Sequence, residues 1–317
     1  MTSGRAVLVA TEDEDATADL VIAELNRRRV PVVRFDPGRD FPDKVGLTAY
    51  AEQGGWSGRL TAHGRTTALE EVRALYHRRP SLYQGYDSED QAQRFAAQEN
   101  RRGLGGVLAS LPNCLYLSHP QAIARAEYKP AQLAEAKRLG LSVPRTLLTN
   151  NPAEAHAFAA EQPTIYKPLH AGSYSVHGEP AGIWAAEVAS REIDDRVSGC
   201  AHLFQERVDK SADVRVVVVG EDVFCARITA PEGVVDWRAE YRHLTYEAVD
   251  CPGEIRQALL RFLSVFGLGF GAFDFALSTD GGWWFLECNP NGQWAWLEHA
   301  TGLPIASSIA DLLEKGE

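Results

Sequence analysis

The 317-residue chain is longer than one compact core usually organises, which predicts two or three domains. Its 45% apolar and 24% charged residues are ordinary for a globular protein in water, and no segment approaches the roughly 18 uninterrupted apolar residues of a membrane helix. Thirty-two Lys and Arg against 43 Asp and Glu give a formal charge of −11, which argues against a general nucleic-acid or membrane-surface binder and leaves anion binding to local basic clusters.

Ala6 to Ala10 is an apolar run that meets Glu12, Asp13, Glu14 and Asp15 at once, so it reads as a buried strand and not as a signal peptide. Thr17 to Arg28 has helical amphipathicity and Pro31 to Phe35 reads as a second strand, and the strand–helix–strand order predicts a parallel pair with the first. Leu47–Ala51 and Trp56–Ala62 flank Gly54-Gly55 as a hairpin. Leu75–Arg79 is a further strand, Gln91–Ser110 a long helix ending before Pro112, and Cys114–Leu117 a short strand. No phosphate-binding glycine loop follows the first strand.

His119-Pro120 marks a boundary. Helices at 120–126 and 128–140, the strand Val143–Thr149, a helix from Pro152 to Glu161 and the strand Thr164–Leu169 lead into a glycine-containing loop, His170 to Gly182, a candidate lid. Strands at Ile183–Val188 and His202–Val208 flank a short helix near 190–197. Asp213–Gly220 and Val223–Thr229 form a hairpin turning at Gly220-Glu221. A helix at 254–266, two strands and a helix at Pro304–Lys315 complete the chain. The fold class is therefore α/β and α+β in packed domains. The five cysteines are odd in number, widely spaced and without a C-x-x-C pair, which fits a reducing cytoplasm better than a disulfide framework or a zinc site.

Residues 270–292, FGAFDFALSTDGGWWFLECNPNG, carry the most chemistry. Asp280-Gly281 suits a two-residue hairpin turn, because both positions favour positive φ. Counting outward from that turn places Asp274 opposite Glu287, with Cβ atoms about 4.5–5.5 Å apart. Asn289 projects from the same face as Glu287. Two carboxylates and an amide oxygen form a hard, oxygen-only set suited to Mg²⁺ carried by a nucleoside triphosphate. The alternative, a solvent-facing edge pair, sits poorly with neighbours Phe273, Phe275, Phe285 and Leu286.

Several basic groups could serve a triphosphate. Lys167 ends an apolar strand, where it could hold phosphate or simply be exposed. Lys129 opens a helix. Gln205, Glu206, Arg207 and Val208 run from a strand into a connector that could meet an adenine edge or be an ordinary edge strand. Asp213 and Arg215 share a strand face, so Arg215 could fork onto phosphate or form a plain ion pair. Asp236-Trp237-Arg238 and Arg227 are candidates of the same kind. Trp294 and Trp296 beside Glu298 could line a substrate channel, but core packing is the commoner use of such residues. No dinucleotide fingerprint, P-loop, H-E-x-x-H or G-x-S-x-G motif occurs, and the nine histidines show no metal-ligand spacing.

The succession Lys129, Lys167-Pro168, Gln205-Glu206, Asp213-Val214-Arg215, Asp274-Phe275 and Glu287-Cys288-Asn289-Pro290 resembles the ATP-grasp superfamily over about residues 119–317. YKPAQL, VPRTLLTN, YKPL, LFQERV, DVRVVVVG, the DWR element and FLECNPNGQWAWLE narrow the likeness to ATP-grasp ribosomal-peptide maturases, which make ω-ester and ω-amide peptides (graspetides, microviridin type). The opening TEDEDATADLVIAELNRRRVPVVRFDP extends it over nearly the whole chain.

The resemblance implies an N-terminal α/β pre-grasp domain, about 1–118, followed by an ATP-grasp domain, 119–317. Its central lobe, about 119–207, and C-terminal lobe, about 208–317, would hold ATP between them. By the same likeness Lys129 and Lys167 bind phosphates, Gln205 to Val208 bind adenine, and Asp274, Glu287 and Asn289 coordinate Mg²⁺. Arg215, with Arg238 and Arg227, would face the γ-phosphate and acyl-phosphate. Asp213 would orient Arg215, touch the nucleotide or deprotonate the nucleophile. Arg207 stands where related ligases often carry an aromatic residue. The implied enzyme is an ADP-producing macrocyclase acting on a precursor peptide with leader and core, and a homodimer is suggested by the resemblance alone. One rival adds an amino acid to a peptide or protein carboxylate; another is a nucleotide-binding module without turnover.

Overall fold

The computed structural model describes residues 5–170, 174–176, 179–231, 233–239 and 241–316. Strand Ala6–Ala10, buried along its whole length, lies parallel between Val32–Phe35 and Val72–His77, and Leu115–Tyr116 closes that four-stranded sheet. Both faces of such a sheet must be covered, which is why its central strand is uniformly apolar. Helix Ala16–Arg27, capped by the Asp15 carboxylate at the Ala18 N–H (3.2 Å), covers one face. Helix Gln91–Leu108 and a three-stranded antiparallel meander, Val45–Glu52, Gly55–Ala62 and Arg65–Ala68, share the core of the other. The third meander strand and the short helix Pro37–Asp40 go beyond the elements expected from sequence.

Helices Pro120–Ala126 and Lys129–Arg138 precede a four-stranded antiparallel sheet ordered Ala186–Val188, Thr164–Lys167, His202–Glu206, Thr146–Thr149. Helix Pro152–Glu161 seals it through Ala155 and Phe158. The expected helix near 190–197 is two 3₁₀ turns, Ser190–Glu192 and Asp195–Gly199. Within the candidate lid, 174–176 pairs antiparallel with 179–181; residues 171–173 and 177–178 of that segment lie outside the described residues.

The remaining sheet has five antiparallel strands ordered Thr245–Ala248, Asp222–Thr229, Lys210–Val219, Phe270–Ser278, Trp283–Asn289. One face packs on helix Gly253–Phe266 through Val214, Val216, Phe273, Phe275 and Phe285. The other face is divided. Val217 and Val219 join Val7, Val9, Leu25 and Tyr76 of the parallel-sheet region in one core, while Asp213 and Arg215, earlier on the same strand face, stay polar. Helices Ala295–Thr301 and Ile305–Lys315 complete that core with Leu297, Ile309 and Leu313. Trp294 is fully buried there, as core packing requires, and Trp296 packs against it while touching Trp237 and Tyr246. Edge strand Thr245–Ala248 and helix Ala295–Thr301 are elements that sequence patterning does not mark. All five cysteines are free thiols. Among the described residues no helix is long and apolar enough to cross a membrane.

Candidate active site

The site grows from the hairpin Phe270–Ser278/Trp283–Asn289. Asp274 pairs with Glu287, the juxtaposition expected from sequence, but the route differs. Asp280 keeps a negative φ and only Gly281 is left-handed (φ +87°), so the loop has three residues, Thr279 to Gly281, closed by the Ser278 N–H on the Gly282 carbonyl (2.8 Å). A type I turn ending in a left-handed glycine is the usual three-residue solution. That loop shifts the register by one residue, so Phe275 faces Phe285. A bulge at Leu286 then restores the Asp274–Glu287 pairing and keeps both acids on the polar face.

The carboxylates are surrounded by cations. Arg215, directly opposite Asp274 on the next strand, places Nη1 2.8 Å from both Asp274 oxygens. Lys129, first residue of its helix, brings Nζ within 2.8 Å of Glu287 Oε2, and Arg238 Nη1 lies 3.4 Å from Oε1. Asn289 Nδ2 donates to Asp274 Oδ2 (3.0 Å) and approaches Glu287 Oε1 (3.4 Å). Burial would raise the Glu287 pKa, but Lys129, Lys167 and Arg238 outweigh it and hold the carboxyl well below its ordinary range. At Asp274 burial prevails over Arg215 and pushes the pKa up, with ionised Glu287 adding to the rise. Burial likewise lowers the Lys167 ammonium, against the pull of Glu287.

The donor set fits a hard divalent cation. Asp274 and Glu287 offer buried carboxylate oxygens and Asn289 an amide oxygen; here the Asn289 Nδ2 is turned to the two acids, so holding a cation calls for a flip of that amide to present Oδ1. Among the described residues no three His, Cys, Asp or Glu side chains gather as a self-sufficient metal cage. A cation here would complete its shell with ligand oxygens, as Mg²⁺ does on phosphates.

Beside this cluster a cleft of about 650 Å³ separates the central and C-terminal sheets. Lys167, Gln205 and the segment Glu206–Val208 line one wall; Ala212, Asp213, Ala276 and Leu286 line the other. That volume suits a nucleotide-sized ligand. Asp213 holds Lys210 Nζ between its two oxygens (2.8 and 2.7 Å), and Lys210 also donates to the Val235 carbonyl (2.7 Å). Burial, tempered by Lys210, pushes the Asp213 pKa up to about 6.

The adenine-edge expectation needs refinement. The Gln205 side chain is buried on Thr146 (2.9 Å), the N–H groups of Glu206 and Arg207 are taken by the Arg145 and Pro163 carbonyls, and Arg207 pairs with Glu187 at 2.6 Å. An incoming base edge would therefore meet this hinge from Val208 onward. Arg227 is a correction: it pairs with Val214, whose side chain belongs to the helix-covered face, so Arg227 leaves the sheet opposite Asp274 and Arg215. Alternation along Asp222–Thr229 separates it from the cluster.

Asp236 belongs to the DWR element singled out by sequence, whereas two other contributors, Gln132 and Lys210, have no sequence signal of their own. The two Asp236 carboxylate oxygens accept from the Arg238 guanidinium (2.9 Å each) and one of them also from the Arg238 backbone N–H (3.1 Å), while the guanidinium lies over the Trp184 ring. Burial would raise Asp236, but Arg238 overrides it and lowers the pKa. Gln132 exchanges hydrogen bonds with both backbone groups of Cys288 (2.7 and 2.8 Å), fixing the residue between Glu287 and Asn289. Lys210 is the other, through its hold on Asp213. The contact of Gln132 with Cys288 joins distant parts of the chain and is invisible to local pattern.

The MvdD pre-ATP grasp domain family matches residues 6–124. No curated protein matches the chain by sequence. Among solved structures, a Chryseobacterium gregarium RiPP-associated ATP-grasp ligase, in complex with ADP and a leader and core peptide, superposes with TM-score 0.88 at 25% identity, over 99% of this chain and 97% of that one. Macrocyclase MdnC of Microcystis aeruginosa MRC, bound with precursor peptide MdnA, gives 0.85 at 28% identity over 98% and 99% of the two chains. Macrocyclase MdnB of the same organism gives 0.80 at 27%, again over 98% and 99%.

Proposed function

We propose that this chain, an ATP-grasp enzyme of the ribosomal-peptide maturase type, is an ADP-forming carboxylate ligase that closes rings within a ribosomally made precursor peptide. The observation that carries the reading is the convergence of Asp274, Glu287 and Asn289 with Lys129, Arg215 and Arg238 beside an interlobe cleft that Lys167 lines from the facing lobe.

A carboxylate resists alcohols because its charge repels nucleophiles and oxide leaves poorly. Transfer of the ATP γ-phosphoryl group to an Asp or Glu side chain of the peptide yields an acyl-phosphate and ADP. Attack by a Ser or Thr hydroxyl, or a Lys amine, of the same peptide expels phosphate and leaves an ester or an amide. Mg²⁺, when bound by Asp274, Glu287 and Asn289, offsets the charge of the triphosphate. Lys129 and Lys167 hold phosphate oxygens, and the hinge from Val208 onward carries the base. Arg215 and Arg238 neutralise the acyl-phosphate, each already oriented by an acid, Asp274 or Asp236. Positioning and charge compensation are what this chemistry asks of a protein. Asp213, buried and with a pKa near neutrality, takes the proton of the attacking hydroxyl. The negative surface and free thiols suit a cytoplasmic enzyme that binds neither nucleic acid nor membrane. Self-association as a homodimer is read out by light scattering.

The decisive variant is Glu287→Gln with Asn289→Ala. It is expected to keep its circular-dichroism spectrum and lose ATP-dependent dehydration of a peptide rich in Thr/Ser and Asp/Glu. Undiminished loss of one water mass per bond would refute the cation assignment. A product heavier by one residue would instead mark the intermolecular ligase.

A further inference from the structure

We infer that Arg78, at the end of a strand in the N-terminal parallel sheet, is a positioning residue for the cation cluster. The inference rests on the reading of Asp274, Glu287 and Asn289 given above. Arg78 is only 2% exposed and stands far in sequence from every residue of the site. Its Nε donates to Asp15 Oδ2 at 2.6 Å, and Asp15 is fixed in turn by Thr11 Oγ1 (2.7 Å) and the Ala18 N–H (3.2 Å). Its Nη1 reaches across to the carbonyl oxygens of Asn291 and Gly292, both at 3.2 Å, and Asn291 Nδ2 returns a bond to the Arg78 carbonyl at 2.8 Å. Arg215 Nη2 takes the next carbonyl, Gln293, at 3.0 Å.

Three successive carbonyls of the loop after Asn289 are therefore gripped by two arginines from two different sheets. The same loop is folded back on Asn289 by the Gly292 N–H on the Asn289 carbonyl (3.0 Å). It has no slack: a Cβ on Gly292 would stand 2.6 Å from Ala272 Cβ, 2.8 Å from Arg215 Nη2 and 3.0 Å from Asn289 Cβ. A fully buried guanidinium is costly to desolvate and is a poor device for stability alone. Here it ties the N-terminal sheet to the segment that presents Asn289 and braces Arg215. Partners one shell out from a metal commonly set ligand orientation and affinity in this way.

The test is ADP binding to the full chain, titrated with Mg²⁺ and followed by calorimetry, for wild type, Arg78→Met and Arg78→Lys. Arg78→Met is expected to raise the Mg²⁺ concentration for half-maximal ADP binding about tenfold or more, with metal-free ADP binding unchanged. Arg78→Lys keeps a charge against Asp15 but cannot span both carbonyls; it carries the test if Arg78→Met does not fold, with an expected shift of at least about threefold. In the peptide assay kcat falls while KM for the peptide holds. A lower melting temperature with wild-type Mg²⁺ dependence in the folded variants would reduce Arg78 to a structural residue and overturn this inference alone. Wild-type protein whose ADP binding ignores Mg²⁺ would overturn the cation reading and this inference together.

Discussion

Asp213 and Arg215 lie two residues apart on one strand face, yet their surroundings differ. Arg215 is committed to Asp274 and the Gln293 carbonyl, which fixes its orientation. Asp213 is buried against Lys210 with its pKa raised to about 6, so it exchanges a proton near neutrality. A raised carboxyl pKa means that Asp213 is protonated below about pH 6 and becomes a base above it. The profile of kcat/KM for the peptide is expected to rise through an apparent pKa near 6 and then level. Asp213→Asn should remove that rising limb and lower turnover by about two orders of magnitude or more, whereas a retained limb would assign it to another group. Arg227 is the internal control. Since it points to the opposite face, Arg227→Ala should leave turnover within about twofold of wild type, in contrast to Arg215→Ala, which should abolish ring closure and leave nucleotide binding measurable. Sequence could place Arg227 on a strand, but not say which neighbour it would face; that parity depends on the register of Lys210–Val219 against Asp222–Thr229.

At the level of elements, the carboxylate hairpin shows how a correct pairing can come from an incorrect turn. The Asp280-Gly281 pair promises a two-residue loop, whereas the chain uses three residues and recovers the lost step with the bulge at Leu286. Alternating Phe and polar residues made the buried face legible, because period-two patterning survives a bulge on either side of it. The grip of Gln132 on Cys288 and of Arg78 on the 291–292 carbonyls had no such signal, since each joins residues more than a hundred positions apart. Two glycines separate shape from function here. Gly281 needs its left-handed φ but faces open space, so Gly281→Ala should cost about 1 kcal/mol in urea unfolding and leave turnover intact. Gly292 has an unremarkable φ but no room, and a methyl group there must push on Arg215 and Asn289. Gly292→Ala should therefore cut kcat about 100-fold or more, as displacement of charge-compensating groups by a fraction of an ångström does. Equal behaviour of the two variants would contradict the packing around the Asn289 loop.

Across the whole molecule, the sequence boundary at His119-Pro120 separates segments that share a core. Val7, Val9, Leu25 and Tyr76 pack with Val217, Phe270, Trp294 and Ile309, and Arg28 reaches Asp311, Glu314 and Ser307 on the last long helix. Composition and breaker residues mark where the chain passes between units, but not how much apolar surface the units bury against each other. The junction also carries a titratable weak point. His77 ends a strand of the parallel sheet, and its Nδ1 has no hydrogen-bond partner among the described residues. Burial, with His119 nearby, lowers its pKa to about 4. An unfolded chain binds that proton at about 6.5, so the contribution of neutral His77 to stability is complete above about pH 6.5 and is lost as pH falls toward 4. Carboxylates released on unfolding titrate in the lower part of the same range, so the informative quantity is a difference between proteins. Urea unfolding at about pH 7 and about pH 5 should show the wild type losing on the order of 1 kcal/mol more than His77→Gln. If both lose the same amount, the His77 ring is already hydrated or charged in the folded protein, and acid sensitivity of the junction must come from the buried Asp15–Arg78 pair instead.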